Sequence, residues 1–272
     1  MTLGIDIGGT TISFGLVEGS EIVKRICVPS FPKGATLQET MDYLASQIAT
    51  IIVPEVTKIG IGVPSVADPV KGIVYNAMNI PSWKEVHLKD EMQKRFGIPV
   101  AVNNDANCYA LGAASRVEGS TVVTVTLGTG TGVGIVLDGK LFSGRHCGAG
   151  EIASIPYEGR DYESFCSKKF FTDRGILNVK AAADLADQGE PSMLSLFCEF
   201  GSRLGEFLSV VMFAYDADCI VLGGGIAHCF RHFRDSMWET LRAMYPYQIS
   251  LDDLSIQVLP DADYALLGAA SL

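Results

Sequence analysis

Two glycine-rich segments of the same pattern are the residues of this chain best suited to chemistry. Ile5–Gly19 reads IDIGGTTISFGLVEG, and Val125–Gly139 reads VTLGTGTGVGIVLDG, aligned without a gap 120 positions later. A third cluster, Gly223–Gly225, follows the apolar run Cys219–Leu222. Glycine tolerates positive φ and lets backbone amides approach phosphate oxygens that a Cβ would block. The repeat therefore predicts duplicated halves that grip a phosphate-rich ligand, as in a nucleotide enzyme.

Polar side chains beside these turns could supply catalytic chemistry. Asp6 ends the first apolar strand, where it could hold Mg²⁺ through water, and Thr10 offers a hydroxyl to phosphate. Asp105 stands at the start of a predicted helix, and a carboxylate there could accept the proton of a hydroxyl nucleophile during phosphoryl transfer. The spacing alone equally allows Asp105 to be a helix N-cap.

The composition is that of an ordinary soluble globular enzyme. The 272 residues are 48% hydrophobic and 19% charged, and the net charge of −10 without a Lys/Arg run disfavours nucleic-acid binding. Seven scattered cysteines without a C-x-x-C pair indicate reduced thiols. The longest apolar helical stretch, Phe207–Ala214, is too short to cross a bilayer. We therefore expect a cytoplasmic protein that binds neither membrane nor nucleic acid.

The hydrophobic periodicity predicts an α/β fold around these residues. Strands are predicted near 2–7, 11–17, 21–28, 58–63, 98–102, 121–127, 132–137, 140–142, 219–222 and 254–258. Helices are predicted near 36–52, 87–96, 106–116, 161–175, 178–188, 191–215, 226–244 and 262–271. We predict a smaller N-terminal lobe of residues 1–117 plus 262–272, a larger C-terminal lobe of residues 118–261, and a cleft between the halves.

Six short motifs together carry a resemblance to a known family. In chain order they are Asp6–Thr10, Asn79–Trp83, Asn104–Asn107, Leu127–Gly130, Gly150–Ile152 and Leu222–Gly225. With these motifs the chain resembles, along essentially its whole length, the sugar kinases of the ROK family. The resemblance implies a two-lobed actin-like ATPase (ribonuclease H-like) fold with duplicated βββαβαβα halves and an interlobe cleft. It also implies ATP and Mg²⁺ as cofactors and a monosaccharide as substrate.

The resemblance further implies a role for individual residues. Asp105 becomes the catalytic base, and Asp6 holds Mg²⁺ through water. The residues implied to bind the nucleotide are Asp6, Gly8, Gly9, Thr10, Gly128, Thr129, Gly130, Gly132, Gly223, Gly224 and Gly225. Those implied to bind sugar hydroxyls are Asn79, Asn104, Glu151 and Glu163. A buried polar group left unpaired by the wrong epimer would penalise that sugar.

The chain departs from the family pattern in two places. Thr11 stands where the family usually carries Lys, which removes one positive charge near the nucleotide. After Glu151, Ala153 and Ser154 replace the usual Gly-His, and no cysteine follows until Cys166. A tetrahedral zinc site needs about four Cys or His ligands. The sequence therefore predicts no structural zinc, and the missing His leaves the identity of the sugar open.

The sequence predicts an ATP-dependent kinase that phosphorylates a hexose such as glucose or allose at O6. N-acetylmannosamine, fructose and a β-glucoside remain open as substrates. A sugar-sensing regulator is an alternative, but such proteins carry a preceding helix-turn-helix domain, for which a hairpin starting at residue 2 leaves no room. A catalytically weak or dead sugar-binding protein is a further alternative, motivated by Thr11 and Ser154. A homodimer is an expectation from the family.

Overall fold

Runs of strands and runs of helices follow one another along the chain. The computed structural model describes residues 1–77, 79–260 and 263–272. The strands are β1 (Thr2–Ile7), β2 (Thr11–Glu18), β3 (Glu21–Pro29), β4 (Lys58–Val63), β5 (Val66–Asp68), β6 (Ile73–Tyr75), β7 (Glu85–Val86), β8 (Val100–Asn104), β9 (Thr121–Leu127), β10 (Thr131–Leu137), β11 (Lys140–Leu141), β12 (Pro156–Tyr157), β13 (Arg160–Asp161), β14 (Cys219–Gly223) and β15 (Ser255–Val258). The helices are α1 (Leu37–Ile51), α2 (Leu88–Phe96), α3 (Asp105–Ala114), α4 (Tyr162–Cys166), α5 (Lys168–Thr172), α6 (Val179–Asp187), α7 (Pro191–Tyr215), α8 (Phe230–Met244), α9 (Gln248–Asp253) and α10 (Tyr264–Ser271).

Two five-stranded sheets repeat one strand order. The first runs β3-β2-β1-β4-β8, and the second runs β11-β10-β9-β14-β15. In the first sheet β1 pairs antiparallel with β2 and parallel with β4, which pairs parallel with β8. In the second, β14 pairs parallel with both β9 and β15. Each sheet therefore joins a meander to two parallel strands, which is the duplication that the repeated hairpins predict.

The chain divides into two compact units. The first comprises Met1–Arg116, Gly134–Ala149 and Ala262–Leu272, and the second comprises Val117–Val133 and Gly150–Asp261. The segment Gly134–Ala149 thus groups with the first unit, whereas the sequence assigned it to the C-terminal lobe. The reason is local, because β11 packs against α3.

Local signals explain where several elements begin and end. The capping box of Thr36 and Glu39 starts α1, because each side chain accepts the other's backbone N–H. α2 ends at Gly97, whose φ of 70° is the left-handed conformation that glycine adopts without strain. The predicted helix over 161–175 is instead two short helices, because Ser167 leaves helical geometry and caps α5.

Helix α10 fixes the position of α3 by close packing. A Cβ built on Gly60 of β4 would lie 1.7 Å from the Ala269 carbonyl oxygen, and one on Gly268 would lie 1.7 Å from the Cys108 carbonyl oxygen. Only glycine permits these approaches of α10 to the sheet and to α3. The packing holds the N-terminus of α3, and with it Asp105, against the end of β8.

We expect Gly60→Ala to lower the free energy of unfolding by about 3 kcal/mol, because a methyl group has no room beside a backbone carbonyl. Urea unfolding followed by circular dichroism measures the change. Gly148→Ala is the matched control, since nothing lies within 4 Å of a Cβ at that position. Equal stability of the two variants would contradict the packing described for α10.

Candidate functional site

The turn of the first hairpin is shaped by its own backbone and by one serine. The Gly8 N–H donates to the Thr11 carbonyl at 2.9 Å. Ser30, the residue after β3, stabilises this turn. Its hydroxyl donates to the Gly8 carbonyl at 2.8 Å, and its N–H donates to the Thr10 carbonyl at 2.9 Å. Gly9 and Thr10 are exposed at the tip. The predicted phosphate turn thus has a fixed shape, and Ser30 is a residue that sequence analysis missed.

Asn79 lies directly over the tip of this hairpin. A Cβ on Gly9 would be 3.2 Å from the Asn79 amide nitrogen. A side chain larger than hydrogen at position 9 would therefore press on Asn79. The structure thus brings one predicted sugar ligand onto the predicted phosphate turn of the same unit.

Asp6 occupies the carboxyl end of β1, opposite Gly62 of β4. Burial and the negative charge of Asp263 raise the pKa of Asp6 to about 6, and the positive charge of Arg25 acts in the opposite direction. Arg25 pairs with Asp263 at 2.6 Å. A carboxylate that is costly to ionise without a counter-charge fits a divalent cation, because hard oxygen donors are the ligands of Mg²⁺.

Asp105 begins α3 at the same edge of the first sheet. Asn104 is the N-cap, and its side-chain oxygen accepts the N–H groups of Ala106 and Asn107. Asp105 also accepts the Ala106 N–H, at 2.8 Å. The helix therefore has its cap without Asp105, so capping alone does not account for this carboxylate.

Strand pairing sets the distance between the backbone segments that carry Asp6 and Asp105. Gly62 of β4 pairs with Asp6 on one side and with Asn103 on the other. The backbones of β1 and β8 are therefore two strand spacings apart, which amounts to about 10 Å. Burial raises the pKa of the Cys108 thiol well above its usual value, and the charges of Asp6 and Asp105 add to the effect. The two acidic side chains thus act on one region of the first unit.

A buried amide network supports Asn104 and Asp105 from below. The side-chain oxygen of Asn103, a residue only 5% exposed, accepts from Asn107 Nδ2 and from Cys147 Sγ, each at 3.0 Å. Asn104 Nδ2 donates to the Ser65 carbonyl at 3.3 Å. Sequence analysis did not select Asn103, and the run of two asparagines before Asp105 was the only signal for it.

The predicted nucleotide residues of the second unit lie together. The turn after β9 closes through the Gly128 N–H, which donates to the Gly130 carbonyl at 3.0 Å. The turn after β14 lies against it, because the Ile226 N–H donates to the Leu127 carbonyl at 3.1 Å. Gly224 has a φ of 80°, and a Cβ there would be 2.5 Å from that same carbonyl oxygen. The Gly223–Gly225 turn therefore packs against Leu127, the residue that precedes the Gly128–Gly132 turn.

Glu163 lies on the turn of the second hairpin. A Cβ on Gly130 would be 2.5 Å from its carboxylate, which accepts the Thr131 N–H at 3.2 Å. The other carboxylate oxygen pairs with Lys169. The predicted sugar ligand Glu163 is thus hydrogen-bonded to the predicted phosphate turn of the second unit. Lys169 is a further contact that the sequence did not reveal.

Comparison with known proteins identifies the family. The ROK family model matches residues 2–272. The chain is 28% identical to a glucokinase of Thermotoga maritima, over 99% of this chain and 96% of the relative. It is 30% identical to an N-acetyl-D-glucosamine kinase of Vibrio cholerae, over 84% and 85%. The chain belongs to the ROK family. Its structure is also similar to that of a ROK family glucokinase from Streptomyces griseus in complex with glucose and AMPPNP, with a TM-score of 0.80, 25% identity and coverage of 99% of this chain and 98% of that chain.

These findings confirm three of the predictions made from the sequence. The family is ROK, the fold is the α/β actin-like ATPase fold, and the enzyme class is carbohydrate kinase. Among the helices in the described part of the chain, none is long and apolar enough to cross a membrane.

The segment of this ROK protein from Gly150 to Ser167 does not fit a zinc site. It contains one cysteine and no histidine. That cysteine, Cys166, is fully buried, and its thiol contacts the Arg203 carbonyl at 3.6 Å. Across residues 1–77, 79–260 and 263–272, no group of three or more His, Cys, Asp or Glu side chains is arranged to hold a metal ion.

Glu151 and Glu163 influence each other electrostatically. Glu151 begins a short 3₁₀ turn, Glu151–Ser154. Partial burial of its carboxyl group, together with the negative charge of Glu163, raises the pKa of Glu151. As pH falls, Glu151 therefore takes up a proton earlier than an ordinary glutamate and stops accepting hydrogen bonds as a carboxylate.

We expect Glu163→Gln to lower the pKa of Glu151, because the substitution removes a negative charge and leaves the side-chain volume unchanged. An NMR titration of the glutamate carboxyl carbons measures the Glu151 pKa in the wild type and in Glu163→Gln. The exposed Glu239 of α8 supplies the control, since Glu239→Gln is expected to leave the Glu151 titration in place. An unchanged Glu151 pKa in Glu163→Gln would contradict the coupling.

Proposed function

We propose that this ROK protein transfers the γ-phosphate of ATP to a hydroxyl of a hexose such as glucose or allose, with O6 as the acceptor. The observation that carries the proposal is the placement of Asp6, Asn104 and Asp105 at one edge of the first sheet, beside a glycine turn of fixed shape. The glucokinase and N-acetyl-D-glucosamine kinase relatives support a hexose as substrate.

Asp105 is the proposed catalytic base. A sugar hydroxyl is a weak nucleophile, and a carboxylate in contact with it orients its oxygen and accepts its proton as the new P–O bond forms. The Asn103 network and the Asn104 cap hold the start of α3, so that Asp105 is pre-positioned. In this proposal Asn79, Asn104, Glu151 and Glu163 are the residues that bind the remaining hydroxyls.

The glycine turns are the proposed phosphate contacts. They are Gly8, Gly9 and Thr10 of the first hairpin and Gly128, Thr129, Gly130 and Gly132 of the second hairpin. Backbone amides suit phosphate because they donate hydrogen bonds without the desolvation cost of a buried charge. Gly223–Gly225 would lie on the adenosine side.

Asp6 is the proposed residue that holds Mg²⁺, through water. When bound, the ion would neutralise charge on the phosphates and stabilise the charge that develops during transfer. The Asp6 carboxylate fits this role because burial and Asp263 raise its pKa, so a bound cation would stabilise its ionised form.

A product analysis tests the proposal. The protein is incubated with Mg-ATP and, in turn, glucose, allose, N-acetylglucosamine, N-acetylmannosamine or fructose. Two-dimensional ¹H–³¹P NMR then shows which carbon bears the phosphate. Phosphorus coupled to the protons on C6 of one hexose supports the proposal, whereas coupling at another carbon would refute the O6 assignment. Sugar binding by calorimetry without any phosphorylated product would favour the alternative of a catalytically weak or dead sugar-binding protein. The cytoplasmic location and the homodimer stay predictions.

A further inference from the structure

A short hairpin separates two of the proposed sugar ligands. Glu151 lies in the 3₁₀ turn before it, and Glu163 lies in the first turn of α4 after it. Between them β12 and β13 pair through Pro156–Asp161 and Tyr157–Arg160. The Tyr162 N–H donates to the Ile155 carbonyl at 3.3 Å and closes the hairpin at its base. Whatever holds this hairpin therefore contributes to the positions of Glu151 and Glu163, in addition to the contacts of Glu163 with Thr131 and Lys169.

The hairpin is held by a set of aromatic and charged side chains, which we call the hairpin cluster. Its members are Tyr157, Tyr162, Phe165, Arg203 and Glu206. The Tyr157 and Tyr162 rings stack with centroids 4.3 Å apart and planes inclined by 15°. Phe165 meets the Tyr157 ring edge-on at 5.2 Å. The three rings thus join β12 to α4, the helix that carries Glu163.

Arg203 anchors these rings to α7. Its guanidinium lies 5.4 Å from the centroid of the Phe165 ring and 5.8 Å from that of Tyr157. Arg203 Nη1 donates to the Tyr157 hydroxyl at 2.6 Å and lies 2.9 Å from the Glu158 carboxylate. A planar guanidinium can bond carboxylates and face aromatic rings at once, which the ammonium of lysine cannot reproduce.

Glu206, one turn along α7, completes the cluster. The Tyr157 hydroxyl donates to its carboxylate, and Arg203 lies 3.3 Å from the same carboxylate. Burial and the Glu206 carboxylate raise the pKa of Tyr157, so the phenol stays a donor across the working pH range. On the other side, Tyr162 packs against Phe207 at 5.3 Å, inside the core of the second unit. The hairpin and the start of α4 thus contact α7 at two points.

We propose that Arg203 and Glu206 are positioning residues for sugar binding, and that the hairpin cluster holds Glu151 and Glu163 in place without a structural metal. The residues from 150 to 167 lack the ligands of a zinc site, so the order of this segment comes from its backbone hydrogen bonds and from side-chain contacts. The roles of Glu151 and Glu163 rest on the proposed function. The structural part, that Arg203 orders the hairpin, stands apart from it.

Arg203→Met tests the proposal, and Arg174→Met is its matched control. Arg174 has the same type of environment, because it lies 3.8 Å from the Phe170 ring and pairs with Glu199 of α7, but it does not touch the hairpin. We expect Arg203→Met to speed hydrogen exchange of the amides in 155–163 and to raise the sugar KM about tenfold, with kcat changed less than about threefold. Arg174→Met is expected to change neither quantity.

Four outcomes bear on the proposal in different ways. Equal hydrogen exchange in the two variants would overturn the structural part, and faster exchange with an unchanged sugar KM would overturn the positioning role. Tyr157→Phe, which keeps the ring and removes the hydroxyl, is expected to give the same changes in smaller measure. Stoichiometric zinc in the purified protein, measured by plasma mass spectrometry, would overturn the metal-free part. Absence of turnover on every sugar would refute the proposed function, while the exchange result would still decide the structural part.

Discussion

Asp105→Asn is expected to lower kcat by about 10³-fold at an almost unchanged sugar KM. The amide keeps an oxygen for hydrogen bonding but cannot accept the proton of the sugar hydroxyl, and general-base catalysis accounts for about 10² to 10⁴ in rate. A coupled assay of ADP release measures the effect.

The structure also predicts that this variant folds normally. Asn104 caps α3, and the Asp105 side-chain oxygen that accepts the Ala106 N–H is retained in asparagine. We therefore expect the free energy of unfolding to change by less than about 1 kcal/mol. Asp90→Asn in the first turn of α2 is the matched control for loss of a charge at a helix N-terminus, and it is expected to leave kcat unchanged. A small effect on kcat in Asp105→Asn would show that another group is the base.

Asp6→Asn is expected to stabilise the metal-free protein while impairing catalysis. At pH 8 the raised pKa of Asp6 means that its ionised form is disfavoured in the folded state, and replacing it with a neutral amide should raise the free energy of unfolding by about 2 kcal/mol. The sign follows because the folded state holds the proton more tightly than the unfolded chain. The difference in the free energy of unfolding between the variant and the wild type should therefore shrink as pH falls through about 6. It should vanish near the pKa that Asp6 has in the unfolded chain.

Catalysis should respond in the opposite direction. Loss of the Mg²⁺ ligand is expected to lower kcat/KM by about 10²-fold or more. Urea unfolding in the presence of EDTA, repeated with excess Mg²⁺ and ATP, measures both the stability gain and the loss of ligand stabilisation.

Asp68→Asn is the control, and it is expected to change the free energy of unfolding in the opposite direction. The N–H of Lys71 donates to the Asp68 carboxylate at 2.9 Å and lowers the pKa of that carboxyl, so this substitution should destabilise the protein. Destabilisation by Asp6→Asn at pH 8 would contradict the electrostatic account of Asp6.

Much of the fold follows from patterns that the sequence shows directly. The repeated hairpins predict two sheets of equal strand order, and the long apolar stripe of α7 marks that helix at its observed bounds. Several short elements are absent from the predicted set of strands and helices for local reasons. The strands β12 and β13 are two residues each and show no periodicity, and α9 is a short helix of six residues.

The sequence predicted some residues of the candidate site and missed others. The glycine turns and Asp105 are predictable because each is a short local pattern whose residue types suggest phosphate binding or base catalysis. Ser30, Asn103 and Lys169 act through contacts that only the fold creates. Arg203 is the clearest case, since it meets Tyr157 from 46 positions away along the chain. No local pattern encodes such a pairing.

ADP release from Mg-ATP, measured with and without each hexose for the wild type and Asp105→Asn side by side, tests the central claim most directly. The account predicts release that depends on one hexose in the wild type and falls to background in the variant. Release without a sugar requirement, or sugar-dependent release that survives the loss of the Asp105 carboxylate, would contradict it.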